Sequence, residues 1–74
     1  MKIRIDKINT DEMFLVDVKY KTETKHYVKL TDETHFYLTR NKISKIKLIE
    51  LSFFFLLERE NNTSILPKFN LEEI

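Results

Sequence analysis

The chain has no cysteine, no glycine and no tryptophan, and its single proline, Pro67, lies close to the end. Without cysteine there is neither a disulfide framework nor thiol chemistry. Without glycine there is no phosphate-cradling loop and no nucleophile elbow, two of the more specific signatures of nucleotide and ester chemistry. Turns that need φ > 0 then fall to Asn, Asp, Thr and Glu in longer loops. An excess of one charge is lacking too: 13 basic and 12 acidic side chains leave a formal charge of +1. Any electrostatic function has to be local.

Long apolar runs are also missing. The greasiest segment extends only from Leu48 to Leu57 and is interrupted by Glu50 and Ser52, well short of the roughly 20 apolar residues a membrane-crossing helix requires. The opening MKIRIDKINT has no extended apolar core and no small-residue cleavage site, so it does not read as a signal peptide, and a cytoplasmic location is expected. At 74 residues and 42% hydrophobic composition, a single domain over 1–74 is expected, near the size at which a core alone can hold a fold. A partner subunit would relieve that.

What the chain does contain is period-two alternation. Phe14, Val16, Val18 and Tyr20 are large while Asp17 and Lys19 between them are charged; His26, Val28 and Leu30, then Phe36 and Leu38, continue on even positions. This predicts three strands sharing one inner face. Same-face residues must pair across a hairpin, which predicts Tyr20 opposite His26 and Val18 opposite Val28, then Leu30 opposite Phe36, with loops centred on Glu23 and Glu33. Ile3 and Ile5 start an earlier strand, with Asn9 to Glu12 as its turn into the next. As a helix, residues 42–58 would bear a second apolar stripe, Leu48, Leu51 and Phe55, on the wet side. The charges would also oppose the macrodipole, with Lys42, Lys45 and Lys47 at the N-terminal end and Glu58 and Glu60 at the other. Strand is therefore predicted, with a bulge where the apolar parity flips at Leu48 and Ile49. Asn61 to Thr63 reads as a turn, and Ile65, Leu66 and Phe69 as a short edge strand blunted by Pro67. Asn70 is placed to cap a final turn, LEEI. The predicted fold is mainly β: a strongly bent antiparallel sheet or a five- to six-stranded SH3- or Sm-like barrel, with at most a short C-terminal helical turn.

LSFFFLLE, residues 51–58, poses the functional question. On a strand Leu51, Phe53, Phe55 and Leu57 fill a core while Phe54 and Leu56 point the other way, and so short a chain cannot cover both faces of one sheet. Ordinary burial under residues 65–69, a homodimer through 51–57, or a different protein would each cover them. Two polar groupings are further candidates. The predicted sheet exterior sets Lys19 beside Tyr27 and Lys29 beside Tyr37, an arrangement that stacks bases and holds phosphates in sheet-based modules, and that also serves as ordinary cross-strand pairing on a wet face. RNKISKIK, residues 40–47, gathers Arg40, Lys42, Lys45 and Lys47; it suits phosphates or an acidic protein surface, or equally a solvated edge guarded by lysines.

His26 and His35, the only histidines, fall on opposite predicted faces, and the carboxylates show no ligand spacing, so no metal or other cofactor is expected. Ser44, Ser52 and Ser64 lie in no nucleophile motif, so no catalytic residue and no enzyme is expected.

The segment FYLTRNKISKIKLIE, residues 36–50, resembles the closing hairpin of Sm-like small barrels: an apolar strand, an Asn near the turn, then spaced isoleucines. It lacks the glycine usual at that turn and has no counterpart of the first Sm motif. In general character, a glycine-free, cofactor-free chain rich in Ile, Lys, Asn and Phe is similar to the inhibitors that phages and mobile elements use against host machinery, anti-CRISPR proteins among them. The resemblance is of type and not of motif, and it implies a stoichiometric inhibitor or adaptor. The expected function is therefore non-enzymatic binding of another protein through Phe54 and Leu56. The alternative is a nucleic-acid-binding barrel using Tyr27, Lys29, Tyr37 and the basic 40–47 segment.

Overall fold

The even-position alternation builds β2 (Met13–Lys19) and β3 (Glu23–Lys29), and Ile3 and Ile5, on odd positions, start β1 (Lys2–Lys7), antiparallel to β2. A computed structural model describes residues 1–9 and 12–73, so Thr10 and Asp11 of the predicted Asn9–Glu12 turn lie outside the described residues. Asn9 is at φ 56°, the left-handed region an asparagine enters at least cost after glycine. The inner face of these strands is the predicted one except at Tyr20: Phe14, Val16, Val18, His26, Val28 and Leu30 are all buried, whereas Tyr20, in the turn, is exposed.

The register is not the predicted one. Val16 faces His26, Phe14 faces Val28 and Lys19 faces Glu23, so the hairpin turns at Tyr20–Thr22 instead of around Glu23, with Tyr20 N–H donating to Thr22 O at 3.1 Å. The expected Tyr20–His26 and Val18–Val28 pairs do not form. A slip by an even number of residues leaves every side chain on its own face; alternation cannot distinguish these registers.

The second predicted hairpin does not form either. Past Leu30 the chain enters helix α1 (Asp32–Thr39), where Thr31 Oγ1 caps by accepting from Thr34 N–H and Asp32 and Glu33 occupy the first turn, the signs of a helix start. Arg40, at φ 54°, ends it in the left-handed conformation and donates its N–H to Phe36 O, the position glycine usually fills. Asn41 follows at φ 60°. Helix α2 (Lys45–Leu57) starts on Ser44, whose Oγ accepts from Lys47 N–H. Most of the 42–58 segment, residues 45–57, is therefore helical and not a bulged strand: it contains no glycine or proline, and Leu, Lys and Glu outweigh its few β-branched positions.

After α2 a 3-10 turn at Asn62–Ser64 leads to β4 (Lys68–Asn70), parallel to β3, and a last 3-10 turn at Leu71–Glu73. The sheet order is β1-β2-β3-β4. This end follows the sequence reading in part: β4 is a short edge strand, but of the expected Ile65, Leu66 and Phe69 it holds only Phe69, and it runs parallel where an antiparallel sheet is expected; Asn70 Oδ1 accepts from Glu72 N–H at 3.2 Å, as expected of a cap. The architecture is a mixed α/β one, a four-stranded open sheet with two helices, and not a closed, mainly β barrel. Ile49 and Phe53 of α2 are fully buried with the inner face of the sheet and with Ile65, Phe69 and Leu71. One helix thus does what a second sheet would have done.

Candidate functional site

The two layers separate the residues that the sequence grouped. Tyr27 and Lys29 lie on β3 and point away from the core, onto the sheet face that α2 does not cover. Tyr27 pairs with Leu15 and Lys68, and Lys29 with Met13 and Asn70. The expected neighbours are elsewhere: Lys19 faces Glu23, and Tyr37 is on α1. Arg40 and Lys42 sit in the link between the helices, Lys45 and Lys47 in the first turn of α2. The proposed tyrosine and lysine platform is therefore divided between two elements.

The open sheet face is mixed in charge. Lys2, Arg4, Lys19, Lys25, Lys29 and Lys68 share it with Asp6, Asp17 and Glu23, and part of the charge is internally neutralised: Arg4 Nε lies 3.1 Å from Asp6, and Lys25 Nζ 3.3 Å from Asp17 and 3.8 Å from Glu23. Asp17 is the most constrained of these groups. Its Oδ1 is buried without a hydrogen-bond partner. Burial, the largest single influence, raises its pKa, but hydrogen bonding with Glu23 and Lys25 and the charges of Lys25 and Lys19 together outweigh it and hold the carboxyl below its ordinary value. A depressed folded-state value stabilises the fold above the unfolded value, about 3.9, and that contribution is lost as pH falls through the folded value. Asp17→Asn is therefore expected to lose less stability than the native chain between neutral pH and about pH 3, read by urea melts at the two pH values. Equal losses would show that Asp17 is not what acid titrates.

The helical layer is different. Among the described residues, α2 turns Leu51, Phe54 and Phe55 outward, each between 41% and 46% exposed, and α1 adds Phe36, Tyr37 and Leu38, Tyr37 at 74%. Arg59 covers part of this surface, with its guanidinium carbon 3.7 Å from the Phe55 ring centre and Nη1–H donating to Phe55 O; Arg40 lies 5.4 Å from the Phe36 ring centre. Both arrangements are cation–π contacts on exposed rings. Phe54 is thus outward, as expected, but on a helix. Leu56 is turned in: it packs against the core and lines a shallow cleft of about 150 Å³ with Ile65, Leu66 and Phe69. Lys45 is half-buried and ion-paired with Asp32, tying the starts of the two helices together, whereas Lys47 is exposed and contacts Glu50 at 3.0 Å. Phe36, Leu38, Leu51 and Phe55 were missed as surface residues. The helix-start signals at Thr31 and Ser44, with 3.6-residue periodicity applied from there, would have found them.

Both histidines are engaged in structure. His26 Nδ1–H donates to Leu66 O at 2.8 Å, and its Nε2 accepts from Thr24 Oγ1 at 2.9 Å. His35 Nε2 meets Ile43 O at 2.6 Å, bracing α1 against the link to α2. Among the described residues no three His, Cys, Asp or Glu side chains converge. No helix there is long and apolar enough to cross a membrane. No protein-family description, no curated protein and no solved structure matches this chain.

Proposed function

We propose that this chain works by binding another protein stoichiometrically, with the helical layer as the contact surface and no substrate turned over. The carrying observation is the outer stripe of α2. A helix already anchored by Ile49 and Phe53 also presents Leu51, Phe54 and Phe55 to water, where polar residues would serve the helix as well and keep the surface from associating. Aromatic anchors with arginines beside them are the side chains that carry binding energy in protein interfaces. The mode of action is that of the small phage-type inhibitors the sequence resembles, anti-CRISPR proteins among them: occupancy of a target surface.

A second reading has one observation in its favour. On the open sheet face Tyr27 stands among Lys25, Lys29 and Lys68, a base-stacking and phosphate-holding combination. Photo-crosslinking separates the two. With p-benzoylphenylalanine at position 37 or 27, introduced in the cells that express the chain, position 37 is expected to yield a protein adduct. The protein so identified then forms a one-to-one complex that Tyr37→Asp abolishes without changing the circular dichroism spectrum. Nucleic-acid adducts from position 27, with steeply salt-dependent oligonucleotide binding and no protein adduct from position 37, would replace the first reading by the second.

A further inference from the structure

We infer that the outer stripe of α2 pairs with the same stripe of a second copy of this chain, antiparallel, across a two-fold axis at the level of Ser52 and Phe53. This rests on the helical layer being a protein-binding surface and names one of its partners. Lys47, Leu51, Phe54 and Glu58 follow one another at intervals of four, three and four residues, which places them in a single row along the helix. All four are exposed. The row is self-complementary in one orientation only. Antiparallel, Leu51 meets Phe54 of the second copy, Phe54 meets its Leu51, and Lys47 and Glu58 each meet the opposite charge, as an isologous interface requires. Parallel, Lys47 would face Lys47 and Glu58 would face Glu58.

The helix dipole favours the same orientation for these charges. The first turn of α2 has no acidic residue and its last turn no basic one, with Lys45 and Lys47 at the positive end of the helix dipole and Glu58 capping the negative end. Within one copy both arrangements are unfavourable. An antiparallel second helix brings its own negative end and Glu58 beside Lys47, and its positive end and Lys47 beside Glu58. The two faults are then removed by one contact. Lys47 keeps its intrahelical neighbour Glu50 at 3.0 Å, while Glu58 has Arg59 at 3.8 Å, so both termini of the row have capacity for an intermolecular partner. α1 contributes no residue to this row, and the pair would offer two copies of Phe36, Tyr37 and Leu38 to the other partner.

Sedimentation equilibrium over a hundredfold range of concentration tests the pairing on the native chain. Two short helices bury less than the roughly 1,200 Å² of a standard interface, so the mass is expected to rise from one copy to two with concentration. Phe54→Asp, and separately Lys47→Glu or Glu58→Lys, are expected to weaken association at least ~10-fold with helical content unchanged. The combined Lys47→Glu/Glu58→Lys exchange restores the native value, because unlike charges again face each other. A single-copy mass at every concentration overturns the inference, as does a dimer indifferent to the single charge changes or a combined variant that stays as weak as either. Tyr37→Asp, outside the row, leaves the dimer unchanged. A monomer that still gives the position-37 protein adduct removes the self-pairing alone; a dimer without that adduct removes the heterologous partner alone.

Discussion

Phe53→Ala is expected to destabilise the fold by ~3–5 kcal/mol, while Phe55→Ala, two residues on, changes it by no more than about 0.5 kcal/mol. Phe53 is fully buried, with its ring centre 5.5 Å from His26 and 6.0 Å from Phe69. It is the side chain through which α2 holds both β3 and β4. Truncation leaves a cavity that a helix pinned on either side by Ile49 and the partly buried Leu56 and Leu57 cannot collapse into, and total stability for so small a domain is about 5 kcal/mol. The variant is then expected to be largely unfolded in dilute buffer. Phe55 instead lies half outside under Arg59, and its removal opens no cavity in the core. Urea titration followed by circular dichroism reads both. The contrast also tests the secondary structure, since on a strand Leu51, Phe53 and Phe55 would share a face and be costly alike. Comparable losses at positions 53 and 55 would sink the helix.

That contrast shows where the sequence was legible and where it was not. The alternation of β1, β2 and β3 identified the buried face correctly, because a strand's side chains have only two directions and one of them was consistently apolar. Register was not legible: Val16 opposite His26 and Val16 opposite Leu30 place the same residues inside. Phe36 and Leu38 looked like a continuation because alternation over so few residues is compatible with a helix as well. The local chemistry that decided the matter was present in Thr31, Asp32 and Glu33, a capping residue followed by first-turn acids. The same residue types also suit a loop, which is why the alternation alone does not reveal the helix.

For α2 the two objections to a helix hold in most of their detail. A second apolar stripe does lie on the wet side, with Leu51 and Phe55 joined by Phe54 while Leu48 turns in against the core, and the charges do oppose the dipole. Neither prevents the helix, because burial of Ile49 and Phe53 contributes several kcal/mol against a few tenths to about 1 kcal/mol for misplaced terminal charges. Conflict between a local rule and the fold is where function tends to reside. Here it marks the surface that the monomer leaves uncovered. The grouping of Tyr27 and Lys29 with Tyr37 failed for a different reason, since it depended on a third strand that became α1.

The second large effect is expected at Thr24, a residue that belongs to no sequence motif. Asn62, buried, donates from Nδ2 to Thr22 O at 2.9 Å and to Thr24 Oγ1 at 3.1 Å, and the Thr24 hydroxyl reaches His26 Nε2, whose ring donates from Nδ1 to Leu66 O. Carbonyl oxygens only accept, so Leu66 fixes a proton on Nδ1, and in the neutral ring Nε2 takes its hydrogen from Thr24. The chain of bonds has one direction throughout. It ties residues 62–66 to the β2–β3 hairpin and so seats β4, whose approach is continued by Tyr27 N–H donating to Pro67 O at 2.8 Å. Thr24→Val preserves shape but leaves a buried ring nitrogen and half of a buried amide unpaired, at about 1–3 kcal/mol. In a His26→Leu background that nitrogen is gone, and the same Thr24→Val change is expected to cost at least about 1 kcal/mol less. Urea melts of the four proteins give the coupling, and hydrogen exchange at Phe69 and Asn70 shows whether β4 loosens first. Additive losses would mean that Thr24 and His26 act separately and do not form one chain of bonds.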